Sequence, residues 1–316
     1  MRPVIACNLD EDQIERLRRH NSEPILLPYS KDRSVWEVPK EADLLFTIFN
    51  GWHSAPAESP RGWPYNLKWI QVVGAGVDIF PKWFFDAPLV TTGRGITADA
   101  IAEYVIAAIF AHEKQLFDAL LVRSPRDWTK RTLGFVSGKK LGLIGLGAIG
   151  VRTAAKARAL GMNVSYVRRS SASQSPDGGL QAYQSLQEMI AEIDHLVLAV
   201  PLTRDTRRML NRAALAQAKP GLHIINVCRG EVIDDDALLE AIERKQVAAA
   251  TLDVTSPEPL PEGHPFYRHP YIRLTPHLSY TSQDIADRIG DRLADNLDRY
   301  LAGERLNDAV DMSRGY

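Results

Sequence analysis

The sequence is poor in cysteine, in net charge and in long apolar runs. Its 316 residues include two cysteines, Cys7 and Cys228, which excludes a disulfide framework and is typical of a reducing compartment. The formal net charge is −1, so no basic or acidic excess indicates a nucleic acid or an anionic membrane as partner. The longest apolar run, residues 104–111, is far too short to span a bilayer. The N-terminal apolar run meets acidic residues at once, unlike a signal peptide. We therefore expect a cytoplasmic protein that binds neither nucleic acid nor membrane.

What the sequence does contain is the patterning of a globular α/β protein. Hydrophobic residues make up 45% of the chain and charged residues 24%, and the length favours two domains. Short apolar runs such as PVIACN, ADLLFTIF and LKWIQVVG are typical of strands, whereas EDQIERLRRH has the spacing of an amphipathic helix. The alternation of strands and helices predicts βαβ units and parallel sheets.

A second series of strands and helices begins in the middle of the chain, at Lys139. The last segment, SQDIADRIGDRLADNLDRYLAG, has the pattern of one amphipathic helix. We therefore predict that the first domain is interrupted and that the last helix returns to it. The expected division is a discontinuous substrate domain, 1–95 plus 283–316, and an inserted dinucleotide-binding domain, 96–282. The stretch DAIAEYVIAAIFAHEKQLFDALLV, residues 99–122, predicts one long apolar helix that is buried or packs against another subunit.

The second series opens with a glycine-rich turn, Gly145-Leu146-Gly147-Ala148-Ile149-Gly150, which fits the pattern G-x-G-x-x-G. In such a turn the first glycine permits the tight bend, the second lets the backbone approach a pyrophosphate, and the third lets helix and strand pack closely. The N-terminus of the following helix presents N–H groups and a partial positive charge to the phosphates. An ordinary βα turn is the alternative, but the strand before it and the helix after it favour a dinucleotide site.

The next predicted strand ends in two arginines, Arg168 and Arg169, where an NAD-binding fold usually carries an acid. That acid would accept hydrogen bonds from the ribose 2′-hydroxyl and would repel a 2′-phosphate. Arginine offers a permanent charge and a rigid fork of donors to such a phosphate. The strand end therefore predicts NADP(H) as the preferred cofactor. Two solvated surface arginines are the alternative interpretation.

Three further segments place a functional residue after a predicted strand, at the edge where ligands bind in open α/β sheets. Arg229 follows the strand of NVCRG, Glu258 lies in the proline-rich loop TSPEPL, and His277 ends LTPH. An arginine can polarise a carbonyl, a histidine can protonate the developing alkoxide, and a glutamate beside the histidine favours the imidazolium. The set predicts proton and hydride transfer to a carbonyl. Taken singly, an arginine at a strand end is more often a surface charge and a histidine after a proline is more often a loop residue. His269 is a rival for His277.

With these motifs in order, the sequence resembles the D-isomer-specific 2-hydroxyacid dehydrogenases. The matching segments are GLIGLGAIG, PLTRDTRRMLNRAALAQAKPGLHIINVCRGEVIDDDALLEAI, ATLDVTSPEPLPEGHPFY and LTPH, with weaker matches at Gly74-Ala75-Gly76-Val77-Asp78 and Ala102-Glu103. The resemblance implies an α/β fold of two Rossmann-like domains, each a doubly wound parallel sheet, with a cleft between them. It also implies a homodimer formed through the region of about residues 96–130.

The resemblance implies roles for individual residues. Arg229 would bind and polarise a 2-oxo acid, and Glu258 would pair with His277, the acid in reduction and the base in oxidation. The loop Gly74-Ala75-Gly76-Val77 would hold the substrate carboxylate through its N–H groups, as a glycine-rich nest can, although a plain turn is the alternative. The residues implied for the cofactor are Gly145, Gly147, Ala148, Ile149, Gly150, Arg168, Arg169, Ser170, Pro201 and Asp253, the last at the nicotinamide carboxamide.

The expected function is reduction of a small 2-oxo acid, of the glyoxylate or hydroxypyruvate type, to the D-2-hydroxy acid. NADP(H) is the expected cofactor, NAD(H) remains possible, and no metal is expected. The alternative is a nucleotide-sensing, corepressor-like binding protein of the same family without turnover. Formate enzymes of the family carry glutamine at the position of Glu258, which argues against that activity.

Two segments depart from the family pattern. Many members have small residues after the histidine, whereas this chain has Leu278-Ser279-Tyr280-Thr281, so Tyr280 could narrow the site. Residues 46–52 are largely aromatic where members build one wall of the substrate pocket. Phe49 or Trp52 could contact the substrate there, or the segment could simply pack in the core.

Overall fold

The computed structural model describes residues 2–29, 34–116, 124–169 and 179–312. The chain divides into two compact units. The first consists of Met1–Ile96 and Ser282–Tyr316, and the second consists of Thr97–Thr281. The first unit is therefore discontinuous, because the C-terminal segment joins the N-terminal third.

The first unit is built on a five-stranded parallel sheet. The strand order is β2-β1-β3-β4-β5, so the chain changes direction across the sheet between β1 and β3. This is one of the two common orders of doubly wound sheets. The elements are β1 (Val4–Asn8), α1 (Glu11–Arg18), β2 (Ile25–Pro28), β3 (Leu44–Thr47), β4 (Trp69–Val72) and β5 (Val90–Thr91).

Two crossovers of this sheet lack the helices that the alternating pattern predicts. Between β3 and β4 and between β4 and β5, the structure has only short 3-10 turns, Trp52–Ser54 and Lys82–Asp86. Three prolines between residues 56 and 64 explain the first case, because proline removes a backbone donor and clashes with the preceding helical turn. The aromatic side chains of both turns pack on one face of the sheet instead, with Trp52 and Phe84 in edge-to-face contact.

The second unit contains a seven-stranded sheet in which every pairing is parallel. The strand order is β12-β11-β10-β9-β6-β7-β8, and its topological switch point lies between β6 and β9. The elements are α2 (Ala98–Glu113), β6 (Lys140–Ile144), α3 (Ala148–Ala159), β7 (Asn163–Val167), β8 (Gln181–Ala182), α4 (Leu186–Ile190), β9 (His195–Leu198), α5 (Arg212–Leu215), β10 (Leu222–Asn226), α6 (Asp235–Glu243), β11 (Val247–Leu252) and β12 (Ile272–Leu274).

Alternating residues of the central strands fill two cores, one on each face of this sheet. In β9, Leu196 and Leu198 point into the core that includes α4, α5 and α6, and Val197 points into the core that includes α2 and α3. Such burial on both faces explains why these strands are continuous apolar runs rather than alternating ones. The sheet thus has helices on both faces, as in a Rossmann-like fold.

The helix predicted over 99–122 is shorter in the structure. Helix α2 ends at Glu113, and Gln115 adopts a left-handed φ of +52° that a continuing helix could not have. The prediction of one continuous helix is therefore wrong beyond Glu113. Residues 117–122 of the predicted helix lie outside the described residues.

The last helix, α7 (Ile285–Ala302), packs on the sheet of the first unit. Leu293 and Leu297 enter the core formed with β1, β3 and β4. The buried amide of Asn296 donates to Gln71 Oε1 over 2.7 Å, and the same oxygen accepts the Thr91 hydroxyl. Apolar burial and an internal polar network therefore both attach the C-terminal segment to the first unit. Among the described residues, no helix has the length and apolar character needed to cross a membrane.

Three histidines cluster in the second unit at the edge where the strands begin. His195 opens β9, His223 is the second residue of β10, and His112 lies in the last turn of α2. The rings of His112 and His223 stack with centroids 4.3 Å apart, and His195 Nδ1 lies 3.1 Å from His223 Nδ1. The Thr251 hydroxyl lies 3.0 Å from His223 Nε2. This cluster lies at the opposite edge of the sheet from the strand ends that carry the predicted site.

Burial favours the neutral forms of two of these histidines, His112 and His223. It lowers the pKa of His223 well below the usual 6.5, and it lowers the pKa of His112 to about 4. Electrostatic interactions with His195, Arg273 and Lys139 add to the effect on the pKa of His112, and the charge of Glu113 opposes it. Since both folded-state pKa values lie below the unfolded value, the unfolded chain binds more protons as the pH falls through 6.5.

We expect the contribution of His112 to the free energy of unfolding to be largest above about pH 6.5 and to fall by on the order of 2 kcal/mol between pH 7 and pH 5. Urea unfolding midpoints measured at pH 7 and pH 5 would test this. His112→Phe can keep the ring stack but cannot titrate, so its midpoint should depend less on pH. The exposed His53→Asn is the control and should behave like the parent protein. An equal pH dependence in His112→Phe would contradict the assignment.

Candidate active site

The three glycines of the turn after β6 have distinct surroundings. Gly145 has a φ of +97°, and a Cβ there would lie 2.5 Å from the carbonyl oxygen of Ala199. At Gly150 a Cβ would lie 2.3 Å from the carbonyl oxygen of Gly145. At Gly147, which caps α3, a Cβ would meet no heavy atom within 4 Å. The outer two glycines are therefore required by the fold, whereas the middle one opens on free space, as a pyrophosphate cradle requires.

The residues predicted to surround this turn gather at the same edge of the sheet. Ala148 and Ile149 open α3, so their N–H groups belong to its unpaired N-terminal turn. Pro201 follows β9, the neighbour of β6 across the switch point, and its carbonyl accepts the Thr206 hydroxyl over 2.7 Å. Ligands of open α/β sheets bind at this position.

The two arginines follow β7 directly beside the glycine turn. The N–H of Gly145 donates to the carbonyl of Val167, the residue before Arg168, over 2.9 Å. Arg168 is half-buried, with its guanidinium carbon 5.7 Å from the centre of the Tyr166 ring, and Arg169 is exposed. Ser170, the third residue predicted at this strand end, lies outside the described residues.

Arg229 is held in the loop after β10. The buried side chain of Asn226 accepts the N–H of Cys228 over 3.1 Å and donates to the carbonyl of Arg229 over 2.9 Å. Arg229 Nη1 donates to the carbonyl of Cys228 over 2.7 Å. A Cβ at Gly230 would lie 2.1 Å from the carbonyl carbon of Thr255, so this loop packs directly on the loop that carries Glu258. Glycine at 230 allows the two functional loops to touch.

Glu258 and His277 form the predicted pair. His277 Nδ1 lies 2.9 Å from Glu258 Oε2, and Glu258 Oε1 accepts the N–H of Thr255 over 3.0 Å. Since a carboxylate only accepts, Nδ1 carries the hydrogen and Nε2 is the nitrogen left for another molecule. Within the part of the chain that the structure describes, Nε2 has no hydrogen-bond partner, and the side chain is 41% exposed. His269, the rival, accepts the N–H of Tyr271 instead.

The charges of the site favour an ionised Glu258. Burial alone would raise its pKa, but the hydrogen bonds from His277 and from the N–H of Thr255 outweigh burial, and the charge of Arg229 adds to them. The net result is a pKa below the usual 4.5. A carboxylate that stays ionised can orient the imidazole and stabilise its protonated form.

Asp253 supports the turn that carries His277. The side chain is 1% exposed, and its carboxylate accepts three hydrogen bonds, from the Thr275 hydroxyl, Leu278 N–H and Ser279 N–H, over 2.6, 2.9 and 2.9 Å. The carbonyl of Asp253 accepts the N–H of His277 over 2.9 Å. His277 itself has a left-handed φ of +49°, a conformation that non-glycine residues keep only where the surroundings hold it.

The loop Gly74-Ala75-Gly76-Val77 follows β4 in the first unit. The carbonyl of Gly74 accepts the N–H of Gly93 over 2.9 Å. In the described ranges, the four N–H groups of this loop have no acceptor in the protein. A Cβ at Gly74 would lie 3.4 Å from the ring of Phe49, which is 44% exposed.

These contacts separate the two interpretations of the aromatic segment. Phe46 and Trp52 are buried in the two cores of the first unit, so both belong to the packing. Phe49 alone of the three is exposed, beside the 74–77 loop. The suggested substrate contact at Trp52 is therefore wrong, whereas a substrate contact at Phe49 stays a prediction.

Residues 106–279 match the family model described as D-isomer specific 2-hydroxyacid dehydrogenase, NAD binding domain. The match spans more than half of the 316 residues. The chain belongs to the D-isomer specific 2-hydroxyacid dehydrogenase family. The predicted resemblance is confirmed, and so are the α/β fold class and the assignment as an NAD(P)-dependent oxidoreductase.

Named members of this dehydrogenase family differ in substrate. The chain is 31% identical over 262 residues to glyoxylate/hydroxypyruvate reductase A of Serratia proteamaculans, covering 79% of this chain and 82% of that one. It is 32% identical over 296 residues to D-3-phosphoglycerate dehydrogenase of Mycobacterium bovis, covering 90% of this chain and 54% of that one. The comparisons therefore establish the 2-hydroxyacid dehydrogenase class rather than one substrate.

A solved structure supports the same dehydrogenase fold. The family member from Xanthobacter autotrophicus Py2, in complex with NADPH and MES, aligns with a TM-score of 0.84 over 100% of both chains at 25% identity. A nicotinamide cofactor is therefore expected for this dehydrogenase, and the glycine turn fits it because the position of Gly147 is open.

Several residues of the dehydrogenase site were not found from the sequence. Asn226, Thr275 and Tyr104 are uncharged, so no pattern singled them out as functional residues. Asn226 and Thr275 adjoin Arg229 and His277 in sequence, and their placement at strand ends was the one available signal. The ring of Tyr280, which departs from the family pattern, lies edge-on to His277 with centroids 5.8 Å apart.

Proposed function

We propose that this dehydrogenase reduces a small 2-oxo acid of the glyoxylate or hydroxypyruvate type to the D-2-hydroxy acid and prefers NADPH. The observation that carries the proposal is the His277–Glu258 pair, held 2.9 Å apart with Nε2 directed away from the pair. Relatives named glyoxylate/hydroxypyruvate reductase support the substrate class. Arg168 and Arg169 beside the glycine turn support the preference for NADPH.

In this proposal the second unit holds the cofactor through the Gly145–Gly150 turn, the start of α3, Pro201 and the arginines. When bound, the reduced nicotinamide supplies the hydride. His277 gives the proton to the carbonyl oxygen from Nε2, while Glu258 stabilises its charged form. Arg229 polarises the carbonyl and binds the carboxylate. The N–H groups of Gly74, Ala75, Gly76 and Val77, which have no acceptor among the described residues, would hold the carboxylate as an anion nest.

The role of Asp253 at the nicotinamide carboxamide also remains part of the proposal. Its carboxylate already accepts three bonds from its own chain, and a carboxylate has about four acceptor sites. One further donor could therefore be accommodated.

We also propose that the enzyme is a homodimer through residues 96–130. The large exposure of Trp128, 78%, supports an interface in this region.

An absorbance assay of nicotinamide oxidation tests the function directly. NADPH and NADH are each paired with glyoxylate, hydroxypyruvate, pyruvate and phenylpyruvate. Turnover with NADPH and the two small acids is expected. Turnover with NADH alone would keep the reductase and remove the role of the arginines. No turnover with any pair, combined with tight NADPH binding, would favour the corepressor-like alternative.

The cofactor site can be tested without turnover. Gly147→Ala should keep the melting temperature, because the new methyl group meets no protein atom within 4 Å and the φ of −83° suits alanine. It should weaken NADPH binding about tenfold or more, since a methyl group forced into a close contact typically costs about 1–3 kcal/mol. The change in nicotinamide fluorescence on binding gives the Kd.

Gly150→Ala is the matched contrast, because its methyl group would strike the carbonyl oxygen of Gly145. That variant should lose stability as well as binding. If Gly147→Ala bound NADPH as tightly as the parent protein, the turn would not be the pyrophosphate site.

A further inference from the structure

A chain of short hydrogen bonds joins helix α2 to the turn that carries His277. The Tyr104 hydroxyl lies 2.6 Å from Thr275 Oγ1, and Thr275 Oγ1 donates to Asp253 Oδ1 over 2.6 Å. The second carboxylate oxygen, Asp253 Oδ2, accepts the N–H of Ser279 over 2.9 Å. All four residues belong to the second unit, although Tyr104 and Thr275 are 171 positions apart in the sequence.

The direction of each hydrogen bond follows from the donors available. A threonine hydroxyl has one hydrogen, and Thr275 donates it to Asp253. The Tyr104 hydroxyl must therefore be the donor to Thr275 Oγ1. Burial raises the pKa of the Tyr104 phenol, and the negative charge of Asp253 adds to that effect, so the phenol keeps its proton. The chain runs from Tyr104 through Thr275 to the carboxylate.

Asp253 constrains His277 from two sides. Its carbonyl accepts the N–H of His277, and its carboxylate accepts the N–H groups of the next two residues. These bonds hold His277 in its left-handed conformation, with Nδ1 placed against Glu258. If the Tyr104 hydroxyl were removed, Thr275 Oγ1 would lose its donor and the hydroxyl would be free to rotate away from Asp253.

We infer that Tyr104 is a positioning residue for proton transfer at His277 and acts through Thr275 and Asp253. The inference rests on the proposed role of His277 as the acid. The Tyr104 hydroxyl bonds to Thr275 rather than to His277 or Glu258, so its effect must pass through the hydrogen bonds to Asp253. It should therefore affect the proton-transfer step more than the binding of the 2-oxo acid.

Kinetics of Tyr104→Phe, Thr275→Val and the double variant test the inference. We expect kcat of Tyr104→Phe to fall about three- to tenfold, the usual worth of one hydrogen bond, with little change in the KM for the 2-oxo acid. The double variant should be no slower than Thr275→Val alone, because coupled residues are not additive. Tyr29→Phe, which removes a tyrosine hydroxyl bonded to Val35 O in the first unit, is the control.

An unchanged kcat in Tyr104→Phe, or losses that multiply fully in the double variant, would overturn the inference. The inference would also be overturned if kcat fell as much in the Tyr29→Phe control as in Tyr104→Phe. A structural role alone would lower the melting temperature and leave kcat per folded enzyme unchanged.

A second readout does not depend on turnover. The downfield Nδ1 proton resonance of His277, identified by its absence in His277→Asn, reports the bond to Glu258. In Tyr104→Phe it should shift or broaden, and in Tyr29→Phe it should not. If the parent protein reduced no 2-oxo acid, the proposed function would fail, but this resonance would still decide whether Tyr104 positions His277. An unaltered resonance in Tyr104→Phe would overturn the inference.

Discussion

His277→Asn should lower kcat about 10²–10⁴-fold, the usual contribution of a general acid. Asparagine is the sharper choice over alanine, because His277 has a φ of +49° and asparagine tolerates left-handed backbone far better than most residues. The N–H bond to Asp253 and the shape of the turn should therefore survive. What is lost is the group that gives the proton. Steady-state kinetics with NADPH and the best 2-oxo acid measure the effect.

The Kd for NADPH and the melting temperature of His277→Asn should stay close to those of the parent enzyme. His269→Asn is the matched control, because His269 was the rival in the sequence and pairs with Tyr271 instead of a carboxylate. It should keep its turnover. Full turnover in His277→Asn, or an equal loss in His269→Asn, would show that the acid has been wrongly assigned.

The residues predicted from the sequence were those whose function can be inferred from residue type and spacing alone, without knowing which other residues they contact. Three glycines at fixed spacing between a strand and a helix are typical of a dinucleotide site, and the contacts of Gly145 and Gly150 provide the steric reason for two of them. A histidine after a buried strand is ambiguous alone. The family resemblance singled out His277 over His269, and the contact with Glu258 agrees with that choice.

The features that the sequence could not reveal are contacts between side chains that are far apart in the chain. Tyr104 lies in an apolar helix, where an aromatic residue is expected for packing alone, and only its 2.6 Å contact with Thr275 suggests another role. The same holds for His112, His195 and His223, which are ordinary in sequence and become a cluster only when three elements meet. Hydrophobic periodicity predicts which faces of the helices and strands are buried, but it does not predict which polar atoms come into contact there.

Arg168→Ala combined with Arg169→Ala should raise the KM for NADPH about 10²-fold, since hydrogen bonds to a charged group are worth about 1.5–3 kcal/mol each. The KM for NADH should change little, because NADH has no 2′-phosphate to lose. The preference for NADPH should therefore fall by the same factor. The measurement is kcat/KM with each cofactor at saturating 2-oxo acid.

Arg212→Ala combined with Arg244→Ala is the matched control. Both arginines are exposed in the same unit and pair with Glu240, away from the glycine turn, so the variant loses the same charge without losing a candidate phosphate ligand. If both double variants weakened NADPH equally, the effect would come from net charge acting at a distance, and added salt should then abolish it. If only the Arg168/Arg169 variant did so, the two side chains would contact the phosphate directly. Because Arg168 also lies over the Tyr166 ring, an unchanged melting temperature is needed to exclude a collapse of the strand end.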